Sequence, residues 1–384
     1  MKDSKTKTLW LPSWYPTRKN PFFGIFIQRQ AEAVSAFSDV AVLHALASDT
    51  EGYEFEITKQ PFLTVIVYYP KTSNKWLKFF RYFKAIFKGY KIIKTQWGKP
   101  DLVHLHVIYS AGLMALWLNI FHQIPFVISE HWSGYRSKEL GFSGFFLTRL
   151  AYACVKKAKR VIAISPFFAS TMQQHQLKNA YKIIPNVVDT ELFSPPQYLS
   201  NKNAKIKILH VSGLTDKEKN ITALLNVLIH LAKKRSDFTC HFVGDDACLP
   251  PLIEIAKMQE ELNKSVSFEG YLKPNEVAKR MQEADVFVMF SNFEGLPCVV
   301  LEAMSVGLPI IATETGGMNE WITDETGRLI EVGDEANLES VLNFMMDNFH
   351  QFDPSVIRSK IVERCSYQAI GRDISEVYKN VLGK

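Results

Sequence analysis

The chain has 384 residues, 47% of them hydrophobic and 22% charged, and a formal net charge of +6. That length exceeds the roughly 250 residues at which single cores stop growing, so two domains are expected, and the composition excludes a disordered chain. No apolar run reaches the ~18 residues of a membrane span, and MKDSKTKTLWLPSWYP has no apolar core of leader length before Pro12 and Pro16, so a cytoplasmic protein is expected.

Short β-branched runs recur along the first half: TLWLP at 8–12, DVAVLHAL at 39–46, LTVIVYY at 63–69, DLVHLH at 101–106, PFVIS at 125–129 and RVIAIS at 160–165. Helical-period segments follow most of them, which is the pattern of βαβ units around a parallel sheet. The pattern restarts at KIKILHVSG (205–213) and continues through TCHFVGDD, SVSFEG, DVFVMFS and LPIIATE, predicting a second sheet. Between the two series, NVVDTELFSPPQYLSNKNAK (186–205) carries a Pro-Pro pair and little apolar periodicity, so the boundary is placed near Pro195. The expected domains are 1–195 and 196–365, with 366–384 a closing helix that packs back toward the first domain.

Residues 71–99 contain nine Lys or Arg and no acid; without them 36 basic residues would face 39 acids. Lys75, Lys78, Arg81, Lys84, Lys88, Lys91 and Lys94 step by three or four, beside a stripe of Trp76, Phe79, Phe80, Phe83, Phe87 and Tyr90. One reading is a domain helix with aromatics in the core and lysines in water. The other is an interfacial helix on anionic lipid, with Lys75, Lys78, Arg81, Lys84, Lys88, Phe79 and Phe83 as contacts. No nucleic-acid motif accompanies the charge.

The cysteines (Cys154, Cys240, Cys248, Cys298, Cys365) are odd in number and none forms a CxxC pair, so buried thiols are expected rather than disulfides or a metal site. No Asp-x-Asp clip for a divalent cation is present. His104 and His106 alternate on a strand, but two ligands do not make a metal site.

In open α/β sheets ligands sit beyond the carboxyl ends of the strands. After DVFVMFS comes NFEGLPCVVLEAMSVGLP, in which Glu294 and Glu302 bracket a helix start at Pro297. Proline suits a first helical turn, where its missing N–H is harmless. The N–H groups of Cys298 and Val299 would favour a phosphate there, and Gly295 would allow close approach. Two carboxylates flanking a phosphate site suit the hydroxyls of a nucleotide-sugar. The alternative is a solvated loop acid and a surface helix acid, against which stands the apolar run Val299, Val300 and Leu301 before Glu302.

The run SNFEGLPCVVLEAMSVGLPIIATETGGMNEWI resembles the signature of family-4 retaining glycosyltransferases, with Glu294 and Glu302 meeting its Glu-x7-Glu pattern. PSWYPTRKNPFFGIFIQRQAEAV (12–34), SEHW (129–132) and KIIPNVVDTELF (182–193) are similar to other segments of the family. The resemblance implies the GT-B fold, two Rossmann-like α/β domains facing a central cleft, and sugar transfer from a nucleoside diphosphate to an acceptor hydroxyl with retention. It implies that Glu294 holds the donor sugar, Glu302 the ribose and Lys219 the diphosphate, and that Gly24 lets the first loop approach the diphosphate. His131 would lie near the transferred sugar. Leu296 belongs to the same donor motif, and the base would be read near Tyr271 and Leu272.

Three positions depart from the family pattern. Ser212-Gly213-Leu214 stands where Gly-Arg-Leu is usual, leaving Lys217 as the substitute phosphate ligand; Lys219-Asn220 replaces Lys-Gly, and Pro185-Asn186-Val187 replaces Pro-Asn-Gly. The expected partners are a nucleotide-sugar donor, a glycan or lipid-linked acceptor and an anionic membrane surface, with no nucleic acid. No metal or other cofactor is expected. A nucleotide-sugar isomerase and a non-catalytic membrane scaffold are the alternative readings; a nicotinamide enzyme is excluded by the lack of any Gly-x-Gly.

Overall fold

A computed structural model describes residues 5–136, 145–196, 205–245, 249–258 and 265–384. Cys248 and the linker stretch 197–204 lie outside the described residues. The chain divides into two compact units, Met1–Val187 with Tyr367–Lys384, and Val188–Ser366.

The first unit holds β1 (Lys7–Pro12), β2 (Asp39–Ser48), β3 (Glu54–Thr58), β4 (Leu63–Pro70), β5 (Leu102–His106), β6 (Phe126–Glu130), β7 (Arg160–Ala163) and β8 (Tyr181–Ile183). Their order in the sheet is β3-β4-β2-β1-β5-β6-β7-β8. All neighbours are parallel except β3, an antiparallel edge strand on β4. Every residue of β5 and β6 is buried, as expected for strands covered on both faces. The register pairs Pro12 with His106 and His106 with Ser129, so the loops after β1, β5 and β6 leave the sheet side by side.

Among the described residues this half of the chain has the α-helices α1 (Ile25–Ser35), α2 (Lys75–Gln96), α3 (Gly112–His122), α4 (Phe145–Lys157) and α5 (Pro166–Gln174). The start of α2 is fixed by Asn74, whose side chain accepts from the backbone N–H groups of Trp76 and Leu77 at 3.0 and 3.1 Å. Ala85, Ile86, Gly89, Tyr90 and Ile93 form its buried stripe against β2 and β4. Residues 75–80 are all exposed, so the aromatic stripe is core only in the second half of the helix.

The second unit has the six-stranded parallel sheet β11-β10-β9-β12-β13-β14. Its strands are β9 (Ile206–Val211), β10 (Phe238–Val243), β11 (Val266–Phe268), β12 (Val286–Met289), β13 (Ile310–Thr313) and β14 (Gly327–Ile330). Its helices are α6 (Asp216–Lys219), α7 (Ile221–Ala232), α8 (Leu249–Lys257), α9 (Pro274–Glu283), α10 (Cys298–Val306), α11 (Glu335–Asn348) and α12 (Pro354–Cys365). The unit begins at Val188, several residues before the expected boundary at Pro195. Phe193 is buried, Ser305 Oγ donates to its carbonyl at 2.6 Å, and Arg358 donates to the carbonyls of Thr190 and Phe193 at 2.8 and 3.0 Å. A buried aromatic and three hydrogen bonds outweigh the local signal of the Pro-Pro pair.

The last helix, α13 (Tyr367–Leu382), lies on α1 within the first unit. Ile370, Ile374, Val377 and Tyr378 bury one stripe, each contributing roughly 1.5–3 kcal/mol of transfer free energy. A Cβ on Gly371 would stand 2.3 Å from the Ala33 carbonyl oxygen, so glycine sets the approach of the two helices. Tyr367 Oη donates to Glu32 at 3.1 Å, and Tyr378 Oη is hydrogen bonded to His104 Nδ1 at 2.6 Å. Among the described residues no helix is long and apolar enough to cross a membrane.

Candidate functional site

In the second unit the site residues gather at the carboxyl ends of β9, β12 and β13. Chain leaves β12 through Ser291, Asn292, Phe293 and Glu294 and enters α10 at Cys298. Pro297 is the residue ahead of the helix, with φ −68° and ψ 128°, one position earlier than expected. Its extended ψ turns the chain into the helix, and Val300 N–H donates back to its carbonyl at 3.2 Å. Cys298 and Val299 stand half-buried at this end, Gly295 is half-buried, and Leu296 is buried beneath the loop.

Glu294 is only 7% exposed. Its Oε1 accepts from Lys219 Nζ at 2.5 Å and from Ser291 Oγ at 2.7 Å. Its backbone N–H donates to Thr315 Oγ1 at 2.8 Å. Among the described residues Oε2 has no hydrogen-bond partner, which leaves it available to a hydroxyl. Ser291 is fixed in turn, since Thr313 Oγ1 donates to its carbonyl at 2.6 Å. Charge-assisted bonds of this kind are about twice as strong as neutral ones, so the carboxylate is held in one rotamer.

The Thr-Gly-Gly after β13 closes over this loop. Gly317 N–H donates to the Gly295 carbonyl at 2.8 Å. Gly316 has φ +64°, and a Cβ there would lie 2.2 Å from the Gly295 oxygen and 2.5 Å from that of Glu294. Only glycine fits.

Lys219 ends α6, and Asn220 joins it to α7 with φ +52°. Asparagine tolerates this left-handed conformation better than other side chains, which explains why it can stand where the family pattern has glycine. Asp216 Oδ1 accepts from Thr222 N–H at 2.8 Å, and the Glu218 carbonyl accepts from the N–H groups of Asn292 and Phe293 at 2.8 and 3.3 Å. The turn carrying Lys219 is thereby tied to the loop carrying Glu294. Lys217 is exposed, and its side chain pairs with no described residue; its carbonyl accepts from Asn292 Nδ2 at 3.2 Å. Glu302 lies buried in the second turn of α10 at 5% exposure. Tyr271 is 49% exposed and Leu272 half-buried on the loop after β11.

In the first unit Gly24 precedes α1 with φ +77°, and a Cβ on it would stand 2.6 Å from the Trp14 carbonyl carbon and 2.8 Å from the Tyr15 nitrogen. The loop after β1 therefore folds onto the start of α1. Ser13 Oγ donates to the Val107 carbonyl at 2.8 Å and is also hydrogen bonded to that of Tyr109, which ties the loop after β1 to the loop after β5.

His131 follows β6. Its ring stacks parallel to that of His106 with centroids 6.0 Å apart and lies 4.8 Å from Phe26. Burial lowers its pKa to about 3, so the imidazole is neutral at physiological pH. Both ring nitrogens are buried and have no partner among the described residues. The loop is anchored by Glu130, buried at 0% exposure, which accepts from the backbone N–H groups of Ile108, His131 and Trp132 at 2.9–3.0 Å and from Tyr135 Oη at 3.1 Å. Burial raises the Glu130 pKa, while these bonds pull it back. Sequence reasoning passed over Glu130; an acid closing an apolar strand directly before His-Trp was the available signal.

His104 is no metal ligand. Its nitrogens are taken by Tyr378 Oη at 2.6 Å and Ser129 Oγ at 2.8 Å, and it packs edge-on to Trp10. Among the described residues no group of three His, Cys, Asp or Glu side chains could hold a metal ion. Among the described residues Cys154, Cys240, Cys298 and Cys365 form no disulfide.

Two α/β units, each built on a largely parallel sheet, are the architecture shared with solved glycosyltransferases of the GT-B fold. Residues 29–192 match the family model described as Glycosyltransferase Family 4, and residues 205–348 match that described as Glycosyl transferases group 1. The chain belongs to the family-4 glycosyltransferases. It is similar to alpha-monoglucosyldiacylglycerol synthase of Streptococcus pneumoniae, 22% identical over 73% of this chain and 67% of that protein. It is also similar to the UDP-Gal:alpha-D-GlcNAc-diphosphoundecaprenol alpha-1,3-galactosyltransferase of Escherichia coli, 25% identical over 68% and 69% of the two chains. Among solved structures, Anabaena Alr3699/HepE in complex with UDP aligns with a TM-score of 0.71 at 17% identity, over 98% of this chain and 100% of that one.

Proposed function

We propose that the protein transfers a sugar from a nucleoside diphosphate to an acceptor hydroxyl with retention at the anomeric carbon and without a metal ion. The observation that carries this reading is the buried Glu294 carboxylate, held by Lys219 and Ser291 immediately before the start of α10. In this proposal Oε2 of Glu294 accepts from hydroxyls of the donor sugar, and Glu302 accepts from the ribose. The diphosphate lies at the N-terminal end of α10, where the helix dipole and the Lys219 ammonium oppose its charge. Lys217 is the second cation, and Tyr271 and Leu272 border the base.

The bond between the anomeric carbon and the phosphate oxygen breaks with its electron pair going to the diphosphate. The acceptor oxygen bonds to the same face of that carbon, and its proton passes to the departing phosphate. Stabilising the leaving charge with fixed dipoles and an ammonium needs no metal.

One relative named for a glycolipid product and one named for a lipid-diphosphate acceptor support a glycolipid or polysaccharide precursor as acceptor. Incubating the protein with UDP-, GDP- and ADP-sugars and a lipid extract, followed by NMR of the product anomer, tests the proposal. A product of inverted configuration overturns retention, and turnover independent of acceptor would favour a nucleotide-sugar isomerase. Absence of turnover with every donor would favour a scaffold.

A further inference from the structure

Helix α2 is long, and only part of it is used by the fold. At 100° per residue, Trp76, Phe80, Lys84, Phe87, Lys88 and Lys91 fall opposite the buried stripe of Ala85, Ile86, Gly89, Tyr90 and Ile93, and each of these six is exposed. Trp76 is 76% and Phe80 64% exposed. The apolar surface continues onto α3: Phe87 packs edge-on to Trp117 at 4.9 Å, Trp117 lies 6.1 Å from Phe121, and Phe121 is 70% exposed.

The charge on this face has no local counterpart. Lys71 pairs with Asp49 at 2.9 Å. Arg81 donates to the carbonyls of Pro70 and Lys71 at 3.1 and 2.9 Å, so it anchors the preceding turn and is withdrawn from the set of membrane contacts expected from sequence. Phe83 is half-buried against Phe79 and Tyr82, which limits it likewise. By contrast Lys75, Lys78, Lys84, Lys88, Lys91 and Lys94 form no ion pair with any described residue. Lys84 and Lys88 rest near the Tyr53 ring at 5.7 and 5.1 Å.

We propose that the outer face of α2, together with the end of α3, docks this protein onto an anionic phospholipid bilayer. Lysines attracted to lipid phosphates, interleaved with aromatic rings that enter the headgroup layer, are what such a surface requires. A second copy of the chain fits poorly, because its lysines would meet the same lysines with no acid to offset them. The inference rests on this face alone and not on the donor reading, so either can fail without the other.

Flotation of the full chain with vesicles of phosphatidylcholine, alone or mixed with phosphatidylglycerol, tests it, and no sugar donor is needed. Binding is expected to the mixed vesicles only and should weaken as salt is raised. Reversing Lys84, Lys88 and Lys91 to Glu should weaken partition by on the order of a hundredfold or more. Trp76→Ser with Phe80→Ser should weaken it at least roughly tenfold and leave the thermal midpoint unchanged, since both rings stand in water. No binding by the unaltered chain, or equal binding by the Lys-to-Glu variant, overturns the proposal. Self-association lost in the Trp76/Phe80 variant, or RNA binding, without vesicle binding would also overturn it.

Discussion

Lys219 and Glu294, 75 positions apart in sequence, meet at 2.5 Å with the carboxylate almost fully buried. A buried carboxylate with an ammonium and a hydroxyl as its donors is rigid, charged and already desolvated. Replacing Glu294 by Gln keeps its shape and removes its charge, so folding should survive while turnover falls on the order of 100- to 1,000-fold. Steady-state rates and a thermal melt of the same preparation check this; near-normal activity would remove Glu294 from the reaction. Lys219→Ala leaves the carboxylate without its counter-charge, so it should lower the melting midpoint as well as donor affinity.

Gly316 offers a purely steric test of the same loop. The Cβ of Gly316→Ala would collide with two backbone oxygens in a left-handed conformation, so a stability loss of about 1–3 kcal/mol is expected. The displaced loop carries Glu294, and activity should fall further than the lost stability explains. Urea unfolding alongside donor titration separates the two effects, and a fully active, fully stable alanine variant would contradict the tight closure.

The proposed chemistry places its cations on protein atoms. Adding EDTA to purified protein should therefore leave the initial rate unchanged, and magnesium or manganese should not be needed to restore it. A large loss that a divalent ion reverses would overturn the metal-free mechanism.

His44 makes stability depend on pH. Burial lowers its pKa to about 4, although the Pro12 carbonyl bonded to Nδ1 at 2.9 Å pulls the other way. An unfolded imidazole titrates near 6.5, so below that pH the unfolded chain takes up a proton that the folded chain refuses. Stability present at neutral pH is lost as pH falls from about 6.5 toward 4, on the order of 2 kcal/mol from this residue between pH 7 and 5. Glu130, whose buried carboxyl titrates above its usual range, acts in the opposite sense. Urea midpoints at pH 7 and 5 should differ less in His44→Gln; an unchanged difference would show that His44 carries none of the dependence.

The strands most legible in the sequence were those buried on both faces, such as LVHLH and FVISE, because continuous apolar runs announce them. The edge strand EFEIT was not, since four of its five residues are exposed and its glutamates mask the alternation. YKI and GRLI are too short to carry a period. In the candidate site, the two glutamates were legible from their spacing around Gly-Leu-Pro. Their supports were not: Thr315 lies 21 positions and Lys219 75 positions from Glu294, and such partners are chosen by tertiary structure rather than local pattern. Trp76 and Phe80 shared one periodic stripe with Tyr90, yet only Tyr90 is core, and period alone does not say which turns of a long helix are covered.

The placement of α13 bears on how the chain comes together during synthesis. Residues that complete the packing on α1 and hold His104 through Tyr378 emerge from the ribosome about 180 positions after the rest of their unit. Until then the face of α1 around Ala33, against which Gly371 packs, lacks its cover, and the nascent N-terminal half waits while the entire second unit is made. Loss of a few C-terminal turns would thus strike the opposite end of the polypeptide, leaving an adhesive apolar strip where a finished surface should be.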